Sequence, residues 1–218
     1  MTFEEIKNDS AIRVYVRSAD ESLASLGYTE HSFAHAGIVA EKTGYILKTL
    51  GYDERTAELG KIAGYLHDIG NLINRVDHSQ SGGVMAFRIL DRLCFPPEEI
   101  SQIVSAIGNH DEGTGVPVSP LAAALILADK SDVRRNRVRN QKLLAFEIHD
   151  RVNYSVTKSE LKINEAHTLI KLKLNIDTHV GSVMEYFEIF MERMILCRKA
   201  AKKLGLKFKL MINEQQLI

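Results

Sequence analysis

Eight histidines are spread over the chain, and five of them, His31, His35, His67, His78 and His110, fall within its first 110 residues. Polar groups also stand where apolar helical faces run out. Ala63 precedes His67 by four residues, Ile103 and Ile107 precede His110 by seven and three, and Leu121 and Leu125 precede Asp129 by eight and four. Such steps put each polar group on the same side of a helix as the apolar residues before it. A buried imidazole or carboxylate must be hydrogen-bonded, paired or metal-bound, because an unpaired buried polar group costs roughly 1–3 kcal/mol. Taken singly, each of the three reads as a satisfied core or helix-end group. Taken together, imidazoles and carboxylates on helices that converge on one core make a mixed nitrogen and oxygen ligand set. That set suits a divalent transition metal (Mn, Fe, Ni, Co or Zn) rather than Ca or Mg.

The elements that would position these groups are helices over the first 140 residues or so. Asp53 is placed to cap a helix with stripe Leu59, Ile62, Ala63 and Leu66, and Gly70 stands where a left-handed C-terminal cap would fall. Pro97 with Glu98 and Glu99 opens a helix with stripe Ile100, Ile103, Val104 and Ile107, and Ser119-Pro120 opens one through Leu121 and Leu125. The texture then changes. Leu169 to Asp177 alternates apolar and polar residues, as does Leu206 to Asn213, which predicts strands. "SELKI" and the polar link "NEAH" predict a hairpin with the first of these, with His167 in its turn. A long helix with stripe Phe187, Phe190, Met191 and Met194 is expected between the strands, with His179 near its start and an end near Gly205. His149-Asp150 precedes alternating Val152, Tyr154 and Val156 and reads as a helix-to-strand junction. The expected organisation is mainly α: a helical metal-binding domain over residues 1–144 and a small α+β subdomain over 145–218.

Composition narrows the function classes. Twenty-eight basic residues balance twenty-eight acidic ones, which argues against nucleic acid or an anionic membrane as partner. "MTFEEIKNDS" lacks the pattern of a signal peptide, and the longest apolar run, "LAAALILA", is too short to span a bilayer. Cys94 and Cys197 are the two cysteines, far apart and without a CxxC, so neither a disulfide framework nor a thiolate metal site is expected. A cytoplasmic location fits these features.

The order His, His-Asp, His, His, Asp resembles that of the HD-domain phosphohydrolase superfamily, an all-helical fold. "HAGIVAE" from His35 resembles its first-ligand helix, and "AGYLHDIGN" is very similar to its central motif. "HSQSGG" (His78, Gly82) and "IGNHDEGTG" resemble the histidine elements of the two-metal subgroup, and "LILADKSD" resembles the final aspartate element, at Asp129. The similarity spans about residues 31–135 and implies an all-helical HD-type bundle with the C-terminal α+β part as an appendage. It also implies that His35, His67, Asp68 and Asp129 hold one ion, with Asp68 bridging to a second ion that His78 and His110 help hold. His31, one turn before His35, lacks the Val and Ala that follow His35 at the family's spacing, so it is expected beside the ligands or facing substrate. The implied reaction is hydrolysis of a phosphate ester or anhydride by a metal-activated hydroxide, with His67 and Asp68 at the catalytic centre.

The chain departs from the pattern in places. Asn71 follows "HDIG" where many members carry lysine, and Asn109 precedes His110 where the cyclic-dinucleotide-cleaving subgroup shows a second histidine. Cleavage of cyclic di-GMP is therefore not the leading expectation. After Asp129 comes "KSDVRRNRVRNQK", the most positive segment, from Lys130 to Lys142. Lys130, adjacent to a ligand, is expected to act on phosphate oxygens in binding and catalysis, and Arg134, Arg75, Asn71 and His31 are the other candidate substrate contacts. The segment from residue 134 to 142 reads equally well as a solvated face. The expected ligand is a small phosphorylated, nucleotide-like molecule. A non-catalytic nucleotide or metal sensor on the same fold is the alternative, and the C-terminal part is a candidate homodimer surface through its long helix or a strand edge.

Overall fold

The computed structural model describes residues 1–139 and 148–217. Its N-terminal part is built from α1 (Phe3–Asn8), α2 (Ser10–Ser25), α3 (Phe33–Thr49), α4 (Glu54–Leu66), α5 (His78–Arg92), α6 (Pro97–Gly108) and α7 (Pro120–Lys130), with no strand among the described residues. The expected caps form. Asp53 Oδ1 accepts from Thr56 N at 2.9 Å, and Ser119 Oγ accepts from Ala122 N at 3.1 Å. Residues Leu121 to Lys130 of α7 are all buried, as the apolar run "LAAALILA" requires of a helix at the centre of a bundle. It packs against α3, α4, α6 and α9.

Two glycines bring backbones together near the motifs. A Cβ on Gly64 in α4 would lie 2.8 Å from both N and Cα of Ala40, so α3 and α4 touch backbone to backbone. Gly70 has a different role from the expected left-handed cap. Its φ is not positive, and it sits in a 3-10 turn over Ile69–Leu72. A Cβ there would lie 2.0 Å from the carbonyl oxygen of His78 and 2.4 Å from Gly82 N. Gly70 is thus required because the start of α5 lies directly against the turn that follows His67 and Asp68.

The C-terminal part holds α8 (Ile148–Ser155), β1 (Val156–Ile163), β2 (Leu169–Ile176), α9 (Val183–Lys203), β3 (Lys207–Ile212) and β4 (Gln215–Gln216). The sheet order is β1-β2-β3-β4. β1 and β2 form the antiparallel hairpin, with Leu161 opposite Leu172 and Ile163 opposite Ile170, and His167 takes a positive φ of 51° in the turn. β3 runs parallel to β2, as the intervening α9 allows, and β4 returns antiparallel. The buried stripe of α9 is Tyr186, Phe190, Met194, Cys197 and Ala201. This corrects the expected stripe: Met191 is 46% exposed and Phe187 only partly buried, because steps of four from Tyr186 follow the face that α7 and the sheet cover. α8 runs directly into β1, but His149 and Asp150 stand in the first turn of the helix rather than at the junction, because Val152 and Tyr154 are helical and the strand begins only at Val156.

Residues of both parts join one hydrophobic core, including Leu66 and Leu127 from the helices and Leu172, Tyr186 and Met194 from the C-terminal part. Arg135 Nε donates to the Tyr154 carbonyl at 2.7 Å and Ser159 Oγ to the Ser131 carbonyl at 2.6 Å, tying the two together. The boundary expected at residues 144 and 145 lies outside the described residues, as does Lys142. Among the described residues no helix is long and apolar enough to cross a membrane. Cys94 is exposed, Cys197 is buried, and both are free thiols.

Candidate metal centre

Each predicted ligand is delivered by a helix end. His35 lies in the first turn of α3, which Ser32 caps, and His67 and Asp68 leave the end of α4. His78 opens α5 after Asp77 takes a left-handed φ of 55°, His110 follows α6, and Asp129 sits in the last turn of α7. The structure brings all six together. Asp68 is the hub: its Oδ2 lies 3.1 Å from His67 Nε2 and 3.5 Å from His35 Nε2, while its Oδ1 lies 3.4 Å from His78 Nε2 and 4.0 Å from His110 Nε2. Asp129 Oδ1 faces His35 Nε2 at 3.3 Å and His67 Nε2 at 3.6 Å. His78 Nε2 and His110 Nε2 are 3.2 Å apart.

The outer ring nitrogens fix the tautomers. Nδ1 of His67 lies 2.8 Å from the Gly64 carbonyl, that of His78 3.1 Å from the Arg75 carbonyl, and that of His110 2.6 Å from the Ile107 carbonyl. A carbonyl can only accept, so each Nδ1 carries the proton and each Nε2 presents a lone pair inward. His35 Nδ1 likewise donates to Asp132 Oδ2 at 2.7 Å. The Nε2 atoms of His35 and His67 are buried without a hydrogen-bond partner, an arrangement that a cation would satisfy and a closed protein core would not. His35, His67 and Asp129 form one group whose ligand atoms all lie within 4.8 Å of one another, and His67, Asp68 and His110 form another. These residues fit a divalent metal ion.

Charge leads to the same conclusion. Burial opposes ionisation of Asp68 and Asp129, but the imidazoles facing Asp68, and Lys130 with the imidazoles facing Asp129, hold both carboxyls well below the usual carboxylate range. Burial also pulls the His67 pKa down, yet Asp68 and Asp129 raise it to about 10, so without a cation an imidazolium would have to neutralise them. A divalent ion replaces that proton. His110 is kept neutral, pushed down to about 3 by burial, then by His67 and Lys130.

The centre forms part of the lining of a cavity of about 410 Å³. His31 lines it, with Nδ1 2.7 Å from the Thr29 carbonyl and its ring centroid 5.4 Å from that of His35. Arg75 lines it too, with Nη1 3.1 Å from His78 Nε2. Lys130 faces the cavity but is clamped between Asp129 Oδ2, at 2.8 Å, and Glu112. Asn71 and Arg134 do not line it. Asn71 lies beneath Asp68 and donates from Nδ2 to its Oδ1 at 3.0 Å and its carbonyl at 2.9 Å. Arg134 Nε donates to Asp132 Oδ1 at 2.7 Å, and so steadies the carboxylate that holds His35.

Several site residues escaped the sequence reading. Asp132 was visible only as the end of "LADKSD", and Arg137 only as one cation in a basic run. Glu112 bonds both Lys130 and, at 3.1 Å, Arg193 Nη2 of α9. Arg193, stacked 4.1 Å from the Phe190 ring centroid, lines the cavity with Ile189 and Phe190, as do His149 and Asp150 at the start of α8. An arginine one turn from Phe190 and Ile189 was the available signal for α9.

The HD domain family model matches residues 30–134. An uncharacterized protein of Methanocaldococcus jannaschii is 25% identical over 186 residues, covering 74% of this chain and 71% of its own. The crystal structure of a predicted HD superfamily hydrolase from an uncultured Thermotogales bacterium is similar at 23% identity and a TM-score of 0.45, over 60% of this chain and 73% of that one.

Proposed function

With residues 30–134 an HD domain, we propose that the protein is a metal-dependent phosphohydrolase, acting on a phosphate ester or anhydride of a nucleotide or related small molecule. The observation that carries this reading is the set of imidazoles whose protonated Nδ1 atoms point outward and whose Nε2 lone pairs surround two ionised carboxylates. In this reading His35, His67, Asp68 and Asp129 would hold one ion, and Asp68, His78 and His110 would help hold a second. Bound there, divalent cations supply a lowered pKa to water and neutralise charge on phosphoryl oxygens.

The chain's own groups prepare the rest. Asp132, Gly64, Arg75 and Ile107 orient the four rings through Nδ1, so the donor atoms need no rearrangement when a ligand arrives. Asn71 steadies Asp68, and Lys130 fixes the second oxygen of Asp129 while keeping a positive charge at the cavity wall. His31 donates its Nδ1 proton to Thr29 and so offers Nε2 as an acceptor for a substrate hydroxyl or water.

The test is purification without added metal, elemental analysis, reloading with Mn, Fe, Ni, Co or Zn, and a phosphate-release screen over nucleotides and phosphoesters. His67→Ala and Asp68→Ala are expected to lose bound metal and turnover together. A native protein that holds no transition metal, with both variants unchanged in metal content and activity, sinks the proposal. Tight nucleotide binding without product under every loaded metal would replace it with the sensor function.

A further inference from the structure

Arg137 is 5% exposed and lines the cavity. Its Nε donates to the Glu30 carbonyl at 2.9 Å and its Nη1 to the Asp132 carbonyl at 2.8 Å. Neutral carbonyls orient a guanidinium without cancelling its charge. Among the described residues Arg137 makes no ion pair with a carboxylate, and its Nη2 has no hydrogen-bond partner. Neighbouring cations differ: Lys130 is paired with Asp129 and Glu112, Arg193 with Glu112, and Arg134 with Asp132 and Glu30. The carboxylates of Asp132, Asp129 and Glu30 act on it only from beyond ion-pair distance, and a buried cation so incompletely compensated at a cavity wall suits an anion that arrives from outside. Arg137 also stands beside the metal-ligand set, because the residue whose carbonyl it bonds, Asp132, holds His35 through its carboxylate.

We propose that Arg137 binds a phosphate group of the ligand, its free Nη2 meeting a phosphate oxygen at the His35 end of the centre. This rests on the phosphohydrolase reading for the identity of the anion, although its geometry is independent of turnover. A planar guanidinium already fixed by two carbonyl bonds loses little freedom on engaging an oxyanion, which suits it to this role better than a mobile lysine. The rival is a purely structural strap, since Glu30 N also donates to the Arg137 carbonyl at 2.7 Å.

Calorimetric titration of orthophosphate into the protein as purified separates the two. Arg137→Gln is expected to weaken phosphate binding about 10–100-fold, whereas Arg88→Gln on the exposed face of α5 leaves it unchanged. Absence of phosphate binding to the wild-type protein, or wild-type affinity in folded Arg137→Gln, overturns the assignment. Should Arg137→Gln not fold, crystals of the wild-type protein grown with orthophosphate decide: an oxygen within hydrogen-bond distance of Arg137 Nη2 supports it, and phosphate elsewhere in the cavity overturns it. Failure of the phosphohydrolase reading would show separately, as absent product in the turnover screen with phosphate binding retained.

Discussion

At the scale of single residues, the centre is decided as much by what stands behind each ligand as by the ligands. The His35–Asp132 bond joins positions 97 residues apart and sets both the tautomer and the aim of the ring. Asp132→Ala is expected to weaken metal binding about 10–100-fold, the usual effect of losing the partner of a ligating imidazole. Competition of the purified variant against a chromophoric chelator measures it, and an affinity equal to wild type would remove Asp132 from the site. Asn71 shows the same logic in reverse. Its amide serves Asp68 rather than the cavity, and the cations that line the cavity are Arg75, Lys130, Arg137 and Arg193.

At the scale of elements, two backbones in contact set the distance between the first two histidines. α3 carries His35 and α4 delivers His67, and they touch where Gly64 meets Ala40. Gly64→Ala forces a Cβ to 2.8 Å from backbone atoms that have no side-chain freedom to yield. We expect a loss of about 1–3 kcal/mol in urea denaturation, the cost of overpacking, together with weaker metal binding as His35 draws away from His67. Gly37→Ala in the same helix meets nothing within 4 Å and should stabilise by about 0.5–1 kcal/mol. Equal effects of the two substitutions would show that helix spacing does not govern the centre. The motif glycine Gly70 belongs to the same class of cause, since its open space is filled by the His78 carbonyl.

At the scale of the molecule, the centre lies where α3, α4, α5, α6 and α7 converge, and α9 closes the cavity with Ile189, Phe190 and Arg193. An ion bound there links five helices that the unfolded chain cannot hold together, so binding is coupled to folding. At free metal about 100-fold above its dissociation constant, linkage adds about 2.7 kcal/mol, or about 5–10 °C in melting temperature for a domain of this size. Chelation followed by calorimetry should show a downward shift of that order, reversed by reloading. A melting temperature indifferent to chelator would mean that the imidazoles fill the core without metal.

Much of this was legible along the chain because it is periodic or local. Steps of three and four carried His67, His110 and Asp129 onto buried faces, caps marked α4 and α7, a first-turn proline with two glutamates marked α6, and alternation marked β2 and β3. These depend on neighbours within a turn or a strand, where the physics is short-range. The tertiary structure alone decided that Asp132 serves His35, that Glu112 joins Lys130 to Arg193 from 81 residues away, and that Arg137 rather than Arg134 faces the cavity. Those pairings arise only when α3, α7 and α9 pack, because a long side chain meets whatever the fold brings to it, and no local period records that.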